Sequence, residues 1–161
     1  MVCEDVELEK MISMVYPIEN YVNLAKSQPG SDIEIAKTHE DEENCYALFM
    51  TLSLPFPLTN RNSVFTMYNH LEDGNLNLCF GEGNDQILEE YKDKIGSNVI
   101  CEMRYAYTKF GKNDNGKGFF MWKTACFDLK GSIPTAISNM LMRQGFGEME
   151  MILGKIRKGE M

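Results

Sequence analysis

The chain has 161 residues and a mass of 18.4 kDa, a length that indicates one domain and is sufficient to bury a hydrophobic core. Hydrophobic residues make up 43% and charged residues 25%, which excludes fibrous, membrane-spanning and disordered classes. The net charge of −8 argues against a nucleic-acid partner, whose phosphates need a basic surface. Residues 1–80 hold 4 basic and 13 acidic side chains and residues 81–161 hold 12 and 11, so an anionic partner such as a membrane would meet the second half more easily.

The sequence carries no recognisable export, anchor or metal signal. It begins MVCEDVELEK, which is acidic where a signal peptide is basic, and its longest charge-free apolar stretch, Ala47–Leu58, is shorter than the ~20 residues that span a bilayer. The five cysteines lie at least 22 residues apart, a spacing that suits neither a zinc site nor a redox pair. We therefore expect a cytoplasmic protein with buried thiols and without a metal or cofactor.

The first forty residues predict two short helices followed by a strand. Apolar residues at helical spacing and acidic residues in the first turns favour a helix over Asp5–Tyr16, which Pro17 ends. A second helix is predicted over Ile18–Lys26, before the turn at residues 28–30. From Asp32 to Thr38 the alternation of apolar and polar residues predicts a strand.

Five further strands are predicted along the middle of the chain, separated by turn signals such as Glu72-Asp73-Gly74. In the fourth of these strands the odd-numbered positions from Val99 to Tyr107 alternate with a more polar set, so one face is expected to be covered and the other wet. The predicted strands are Cys45–Leu54, Ser63–Leu71, Leu76–Phe80, Asn98–Phe110 and Phe119–Asp128.

Two helical segments complete the pattern. The segment between residues 80 and 98 contains DQILEEYKDKIG, which is too long for a hairpin turn and predicts a helical lid on the rim of the sheet. A long C-terminal helix is capped by Ser132, carries an apolar stripe, and ends in the basic segment 155–158. Gly145 and Gly147 predict a kink within this helix.

These elements predict an α+β fold: one or two helices, a curved antiparallel sheet of about six strands, and a long C-terminal helix across the concave face of the sheet. A large sheet curled around one helix tends to enclose a cavity. The chain has 12 methionines, many of them on predicted strands and on the last helix, and flexible thioethers suit a cavity that adapts to an apolar ligand. Composition alone favours the simpler alternative, that these methionines fill an ordinary core.

Residues for catalysis are sparse. The two histidines are His39, which borders an acidic turn, and His70, which lies on the polar side of its predicted strand, so both are expected at the surface. The sequence has no nucleophile elbow, zinc-binding helix or phosphate-binding loop. It therefore argues against an enzyme.

Two separated segments carry a resemblance to a known family. They are LPFPLTNRNSVFTMYNHLEDG, at Leu54–Gly74, and FDLKGSIPTAISN, at Phe127–Asn139. The first resembles the Pro-Phe-Pro and Asn-Arg-Asp-aromatic-Val passage of the START (StAR-related lipid transfer) family, and the second resembles that family's entry into its C-terminal helix. The resemblance extends roughly from Met11 to Ile156 and is closest to the phosphatidylcholine-transfer members.

The resemblance implies a helix-grip fold, in which a tunnel between the sheet and the C-terminal helix holds one lipid that is carried between membranes. It also implies a shortened chain, because family members usually have a further helix and three strands before the point where this sequence begins. The sheet edge left open could then pair with a second copy of the chain. Of the aromatic positions that cage choline in the phosphatidylcholine binders, two correspond to Met50 and Ser63 here, and Tyr105 looks retained.

Strand parity predicts which side chains line the tunnel. If Tyr105 faces inward, so do the alternate positions on its strand, and the same logic applies to the other strands. Lys123 pointing to water would turn Phe120 and Trp122 inward. Arg61 is the candidate to hold a lipid phosphate or carboxyl, with a salt bridge at the sheet rim as the alternative. The predicted lining is Leu48, Met50, Leu52, Arg61, Ser63, Phe65, Met67, Leu76, Leu78, Phe80, Cys101, Met103, Tyr105, Tyr107, Trp122, Ile137, Met140, Leu141 and Gln144.

The expected function of this single START-like domain, residues 1–161, is to bind one lipid in an internal cavity and to transfer it between membranes through transient contact. One alternative is a START-like interaction module, such as a homodimer through the exposed sheet edge, without lipid transfer. The other is an enzyme of the wider helix-grip superfamily, such as a cyclase, with Tyr105, Tyr107 or Glu102 as acid or base.

Overall fold

A computed structural model describes residues 1–27, 30–38 and 44–159, without the side chains of residues 37, 38, 142, 144–146 and 148. His39, the acidic turn after it and the side chain of Gln144 therefore lie outside the described part of the chain. The helices are α1 Leu8–Val15, α2 Ile18–Lys26, α3 Asp85–Glu90, α4 Lys92–Ile95 and α5 Thr135–Lys158. The strands are β1 Val2–Cys3, β2 Ser31–Thr38, β3 Cys45–Leu52, β4 Arg61–Glu72, β5 Asn75–Glu82, β6 Val99–Ile100, β7 Glu102–Lys112 and β8 Phe119–Asp128.

The strands form one sheet in the order β1-β8-β7-β5-β4-β3-β2, and every neighbouring pair along this order is antiparallel. The two-residue strand β6 adds a short parallel pairing to the start of β4. The predicted arrangement of a large antiparallel sheet with a long C-terminal helix is confirmed. Two very short strands account for the larger strand count: β1, which was not predicted, and β6, which was predicted as one continuous strand with β7.

The main core lies between one face of the sheet, which we call the inner face, and the helices α1, α2 and α5. It joins strand residues such as Leu48, Met67 and Phe110 to helix residues such as Met11 and Ile152, all of them buried. The amphipathic helices bury their apolar stripes here because this is the side of the sheet that offers an apolar surface. Any ligand cavity of the helix-grip type would have to lie in this layer.

Helices α3 and α4 pack against the opposite, outer face of the sheet. Ile87 and Ile95 form a separate small core with Phe49 and Val64, two strand residues that point away from the main core. The chain approaches β4 so closely at Gly83 that a Cβ atom there would lie 2.2 Å from the carbonyl oxygen of Val64. The prediction of a lid in this segment is wrong, because its apolar contacts hold it on the face away from α5.

A β-bulge in β7 reverses the predicted orientation of its aromatic residues. The register with β8 shifts between Met103 and Tyr105, so one extra residue lies between two inward-facing positions. Met103 is buried in the main core, and the next inward residue is Ala106. Tyr105 is 54% exposed, which shows that it points outward. The prediction of strict alternation from residue 99 to residue 107 is therefore wrong.

The last strand is also turned the other way from the prediction. Met121 belongs to the main core, and Lys123 lies on the same side, opposite the buried Thr108. Trp122 points outward and is 55% exposed. The side chain of Phe120 covers Gly111 on the outer face, where a Cβ atom would lie 2.7 Å from its ring. A half-buried lysine can keep its ammonium group hydrated, so its presence in an apolar strand did not mark the wet face.

The helix α5 is buried along one half and exposed along the other. Met149, Ile152 and Ile156 are buried in the main core. Arg157 forms a bidentate ion pair with Asp5, in which Nε donates to Oδ2 at 2.6 Å and Nη2 donates to Oδ1 at 2.8 Å. In the first half, residues 135, 136, 139 and 140 are exposed. The first half of α5 starts next to the end of β8. We call this end of the molecule, where β3 and β8 end and β4 and β7 begin, the open end.

Candidate functional site

The inner face brings together the central part of the predicted lining. These side chains come from four adjacent strands, β3, β4, β5 and β7, and all of them are buried in the main core. Two methionines at the centre, Met67 and Met103, can adopt several shapes at low cost because their side chains are unbranched. The residues are Leu48, Phe65, Met67, Leu76, Leu78, Phe80 and Met103.

A second group of predicted lining residues lies towards the open end. Met50 and Leu52 are half-buried at the end of β3, and Met50 packs against the main core. Ser63 is fully buried on β4, directly opposite Met50. Cys101 is buried beside Ser63, and burial raises the pKa of its thiol while the hydrogen bond with Ser63 lowers it. Cys101 is therefore a protonated, structural thiol at neutral pH.

The first half of α5 lies beside a hollow of about 530 Å³. Ala136, Asn139, Met140 and Arg143 line it at helical spacing, so they share one face of the helix. Met140, a predicted lining residue, is 36% exposed, and the other two, Ile137 and Leu141, are half-buried. All of these residues come from α5, so among the described residues the hollow is an open groove along this helix.

Arg61 is 5% exposed, and backbone carbonyls surround its guanidinium group. Its Nε donates to the carbonyl of Leu129 at 2.8 Å, Nη1 donates to the carbonyl of Thr59, and Nη2 donates to that of Lys130 at 3.3 Å. No carboxylate of the described residues forms an ion pair with it, so the predicted salt bridge is absent. Arg61 ties the start of β4 to the loop that leads into α5, and three of its five N–H groups are occupied in doing so.

Three predicted lining residues do not join this group. Tyr105 and Trp122 are exposed on the outer face, and Tyr107 is half-buried there, with its ring 5.5 Å from that of Trp122. The hydroxyl of Tyr107 donates to the side-chain oxygen of Asn77 at 2.6 Å. Tyr105 thus lies away from Met50 and Ser63, and no choline cage forms at these three positions.

The residues suggested for an enzyme do not form a site either. The exposed Glu102 lies at the open end and pairs with Lys130 at 2.8 Å. Lys130 also pairs with Asp128 at 3.0 Å, and the hydrogen bond from Lys130 lowers the pKa of Asp128. The two tyrosines lie on the outer face. Acid and base candidates therefore share no pocket.

Sequence reasoning missed several residues of the inner face. Ala106 and Met121 belong to the main core, and Phe127 lies opposite Met103 and is partly exposed at the open end. Lys123 brings a positive charge to this face. One residue in the sequence could have indicated the orientation of β7, namely Gly111. It lies on the outer face beneath the Phe120 ring, where a side chain would not fit, so the residues on either side of it point inward.

The described part of the chain offers neither a metal cluster nor a membrane-spanning helix. Among its residues, no group of three or more His, Cys, Asp or Glu side chains is arranged to hold a metal ion. None of the helices in the described ranges combines the length and the apolar character needed to cross a bilayer.

The large antiparallel sheet with its long C-terminal helix is the helix-grip fold. START domains have this fold, and they are the class of protein that this chain resembles. The crystal structure of human STARD10 superposes with a TM-score of 0.67 at 16% identity, covering 99% of this chain and 63% of that chain. The human StarD13 (DLC2) lipid transfer and protein localization domain superposes with a TM-score of 0.60 at 15% identity, covering 92% of this chain and 68% of that chain. This chain thus spans less than two thirds of the STARD10 chain. No family model and no curated protein matches the sequence.

Proposed function

We propose that this chain binds a single lipid between the inner face of the sheet and α5, and carries it between membranes in the cytoplasm. One observation supports this most directly: the inner face carries the buried Met67 and Met103, and the first half of α5 leaves Met140 exposed and Ile137 and Leu141 only half-buried. Transfer of an acyl chain from water to such a surface is favourable by about 0.8 kcal/mol for each CH₂ group. No covalent chemistry is required.

The exposed apolar residues of the open end supply a docking surface for the membrane. Phe56, in the loop between β3 and β4, is 97% exposed, and the two prolines beside it restrict the loop. Ile100, Phe127 and Met140 are also exposed at this end. Since these residues lie at the open end, docking would place the first half of α5 close to the bilayer. Movement of the first half of α5 would then admit the lipid, because residues 135, 136, 139 and 140 of this half are exposed rather than packed.

The ligand class follows from the polar groups of the inner face. The guanidinium group of Arg61 is buried at the start of β4 without a carboxylate partner among the described residues, so it leaves a positive charge at this side of the sheet. An anionic or zwitterionic phospholipid fits such groups better than a sterol does. Recognition of choline by an aromatic cage is not proposed, since Tyr105 faces outward.

The first test is native mass spectrometry of the purified chain, followed by solvent extraction and identification of any released molecule. One lipid for each chain supports the proposal. Transfer between vesicles then tests the lining with a matched pair of variants: Met103→Glu on the inner face should abolish uptake, whereas Tyr105→Glu, two residues away on the outer face, should leave it unchanged. Circular dichroism checks that both variants fold. Unchanged uptake in a folded Met103→Glu protein would contradict the assigned site.

The docking surface has its own test. Phe56→Asp should slow transfer between vesicles several-fold while the free energy of unfolding changes by less than about 0.5 kcal/mol, because the side chain is almost fully exposed. Thr59→Asp, in the same loop, is the control for added charge. Equal slowing by both variants would assign the effect to charge rather than to loss of the aromatic ring.

A second candidate function is assembly of two chains through the edge of β8. The strand β1 pairs with Phe119 and Phe120, and the backbone of Met1 exchanges two hydrogen bonds with Met121. Beyond Met121, no described strand covers the edge of β8. Trp122 and Phe127, on this part of β8, are exposed. Bare strand edges pair readily with other strands. A lipid-free dimer in sedimentation velocity that Trp122→Lys dissociates would favour this candidate, and a monomer at all concentrations would exclude it.

A further inference from the structure

A second hollow, of about 480 Å³, lies outside the inner-face site, among the helices α1, α2 and α5. Its walls come from one face of each short helix: Lys10 and Ser13 are three residues apart on α1, and Asn20 and Asn23 are three residues apart on α2. Lys155, near the end of α5, completes it. All five side chains carry hydrogen-bond donors, and none of the described lining residues is acidic.

The two lysines of this hollow differ from the basic residues next to them. Arg157 is paired with Asp5, and Lys112 is paired with Glu9 at 2.8 Å. Neither Lys10 nor Lys155 forms an ion pair with a carboxylate of the described residues. In a chain with a net charge of −8, the structure thus leaves two ammonium groups facing one hollow. The described lining of the hollow thus carries two positive charges and no negative charge.

The floor and walls of the hollow define what could bind there. Met14 and Leu24 line it and are buried, so they offer an apolar base. The hydroxyl of Ser13 donates to the carbonyl of Lys10 at 2.8 Å within the helix and can rotate towards a ligand, and the exposed amides of Asn20 and Asn23 can donate from the other wall. Charge-assisted hydrogen bonds from lysine to phosphate oxygens are among the stronger polar contacts in proteins.

We propose that this hollow is an anion-binding site, separate from the lipid site, that takes a phosphate monoester with a small carbon portion. The two ammonium groups neutralise the phosphate, the asparagine amides and the serine hydroxyl orient it, and the apolar base accepts the carbon portion. A soluble phosphorylated metabolite and the head group of a phospholipid in a membrane share this chemistry. The proposal does not depend on lipid transfer, because no residue of this hollow lies on the inner-face site.

The test uses the full chain, with three probes measured separately: inorganic phosphate, sn-glycerol 3-phosphate, and phosphatidylcholine vesicles with and without roughly one-fifth phosphatidic acid. Binding of the soluble probes is followed by calorimetry, and binding of vesicles by co-sedimentation. The double variant Lys10→Gln/Lys155→Gln removes both ammonium groups. The double variant Lys26→Gln/Lys109→Gln makes the same change of charge at residues that do not line the hollow.

We expect Lys10→Gln/Lys155→Gln to weaken binding of glycerol 3-phosphate by at least about ten-fold, and the control to change it by less than two-fold. Binding of soluble phosphates that only the first variant loses assigns a soluble ligand. Binding confined to the vesicles with phosphatidic acid, again lost only in the first variant, assigns a membrane head group. Binding of no probe, or equal binding by both variants, overturns the proposal. Transfer of lipid between vesicles is measured on the same proteins, so failure here and failure of the lipid site are distinguishable.

Discussion

The two halves of α5 belong to one continuous helix, yet their environments differ. The second half buries Met149, Ile152 and Ile156 against the sheet and against α1 and α2, and the Asp5–Arg157 ion pair fixes its end. The first half leaves Met140 exposed beside a hollow. A helix with uniform packing would hold only a core together, whereas this division leaves one half to maintain the fold and the other half free to open the lipid site that we propose.

The largest expected difference lies in core stability. Ile152→Ala removes buried methyl groups from the anchored half and should lower the free energy of unfolding by about 2–4 kcal/mol. Met140→Ala, in the exposed half, should lower it by less than about 1 kcal/mol. Urea unfolding followed by circular dichroism measures both values. If the two substitutions lower the free energy of unfolding equally, the two halves of α5 are packed equally well and the contrast between them is wrong.

A smaller effect is expected at Arg61, which ties the loop before α5 to β4. Arg61→Met leaves three backbone carbonyls without their donors and should lower the free energy of unfolding by about 2–3 kcal/mol. Arg143→Met, at an exposed position of α5, is the control and should cost less than about 0.5 kcal/mol. Urea unfolding of the two variants compares them. A small loss of unfolding free energy in Arg61→Met would mean that the guanidinium group contributes little to the stability of the fold.

The pH dependence of stability tests the ion pair at the end of α5. The hydrogen bonds from Arg157 hold the pKa of Asp5 well below its ordinary range in the folded protein. A carboxyl group whose pKa is lower in the folded state stabilises it above the ordinary pKa of about 4, and this contribution is lost as the pH falls towards the folded-state pKa. Asp5→Asn should therefore lower the urea midpoint at pH 7 and have less effect at pH 3.

The control for this pH experiment is Asp114→Asn, in the exposed turn between β7 and β8. It removes the same charge without breaking a described ion pair, so its urea midpoint should follow that of the unaltered protein at every pH. The effect of Asp5→Asn is expected to be small, because both partners of the pair are at the surface. A difference between the two variants that grows as the pH falls would contradict the expected sign.

The sequence determined the class of fold because its signals were local and repeated. Helical spacing before Pro17, alternation in β2 and the long stripe of α5 each predicted an element that the structure contains at nearly the same bounds. On the two strands β3 and β4 the register is unbroken, and Leu48, Phe65 and Met67 are buried in the main core on the side that strand parity predicted. Local patterns of this kind depend on neighbouring residues alone.

Only the tertiary structure decided the orientation of β7 and β8, the role of Arg61 and the position of α3 and α4. One extra residue between Met103 and Ala106 inverts a face, and the alternation of residues in the sequence does not show where such a bulge lies. An arginine beside a strand start is equally compatible with a ligand, an ion pair or backbone carbonyls. The structure brings the carbonyls of Leu129 and Lys130, which are distant in sequence, to the Arg61 guanidinium. The hollow with Lys10 and Lys155 joins residues 145 positions apart, so only the packing of α1 against α5 could bring them together.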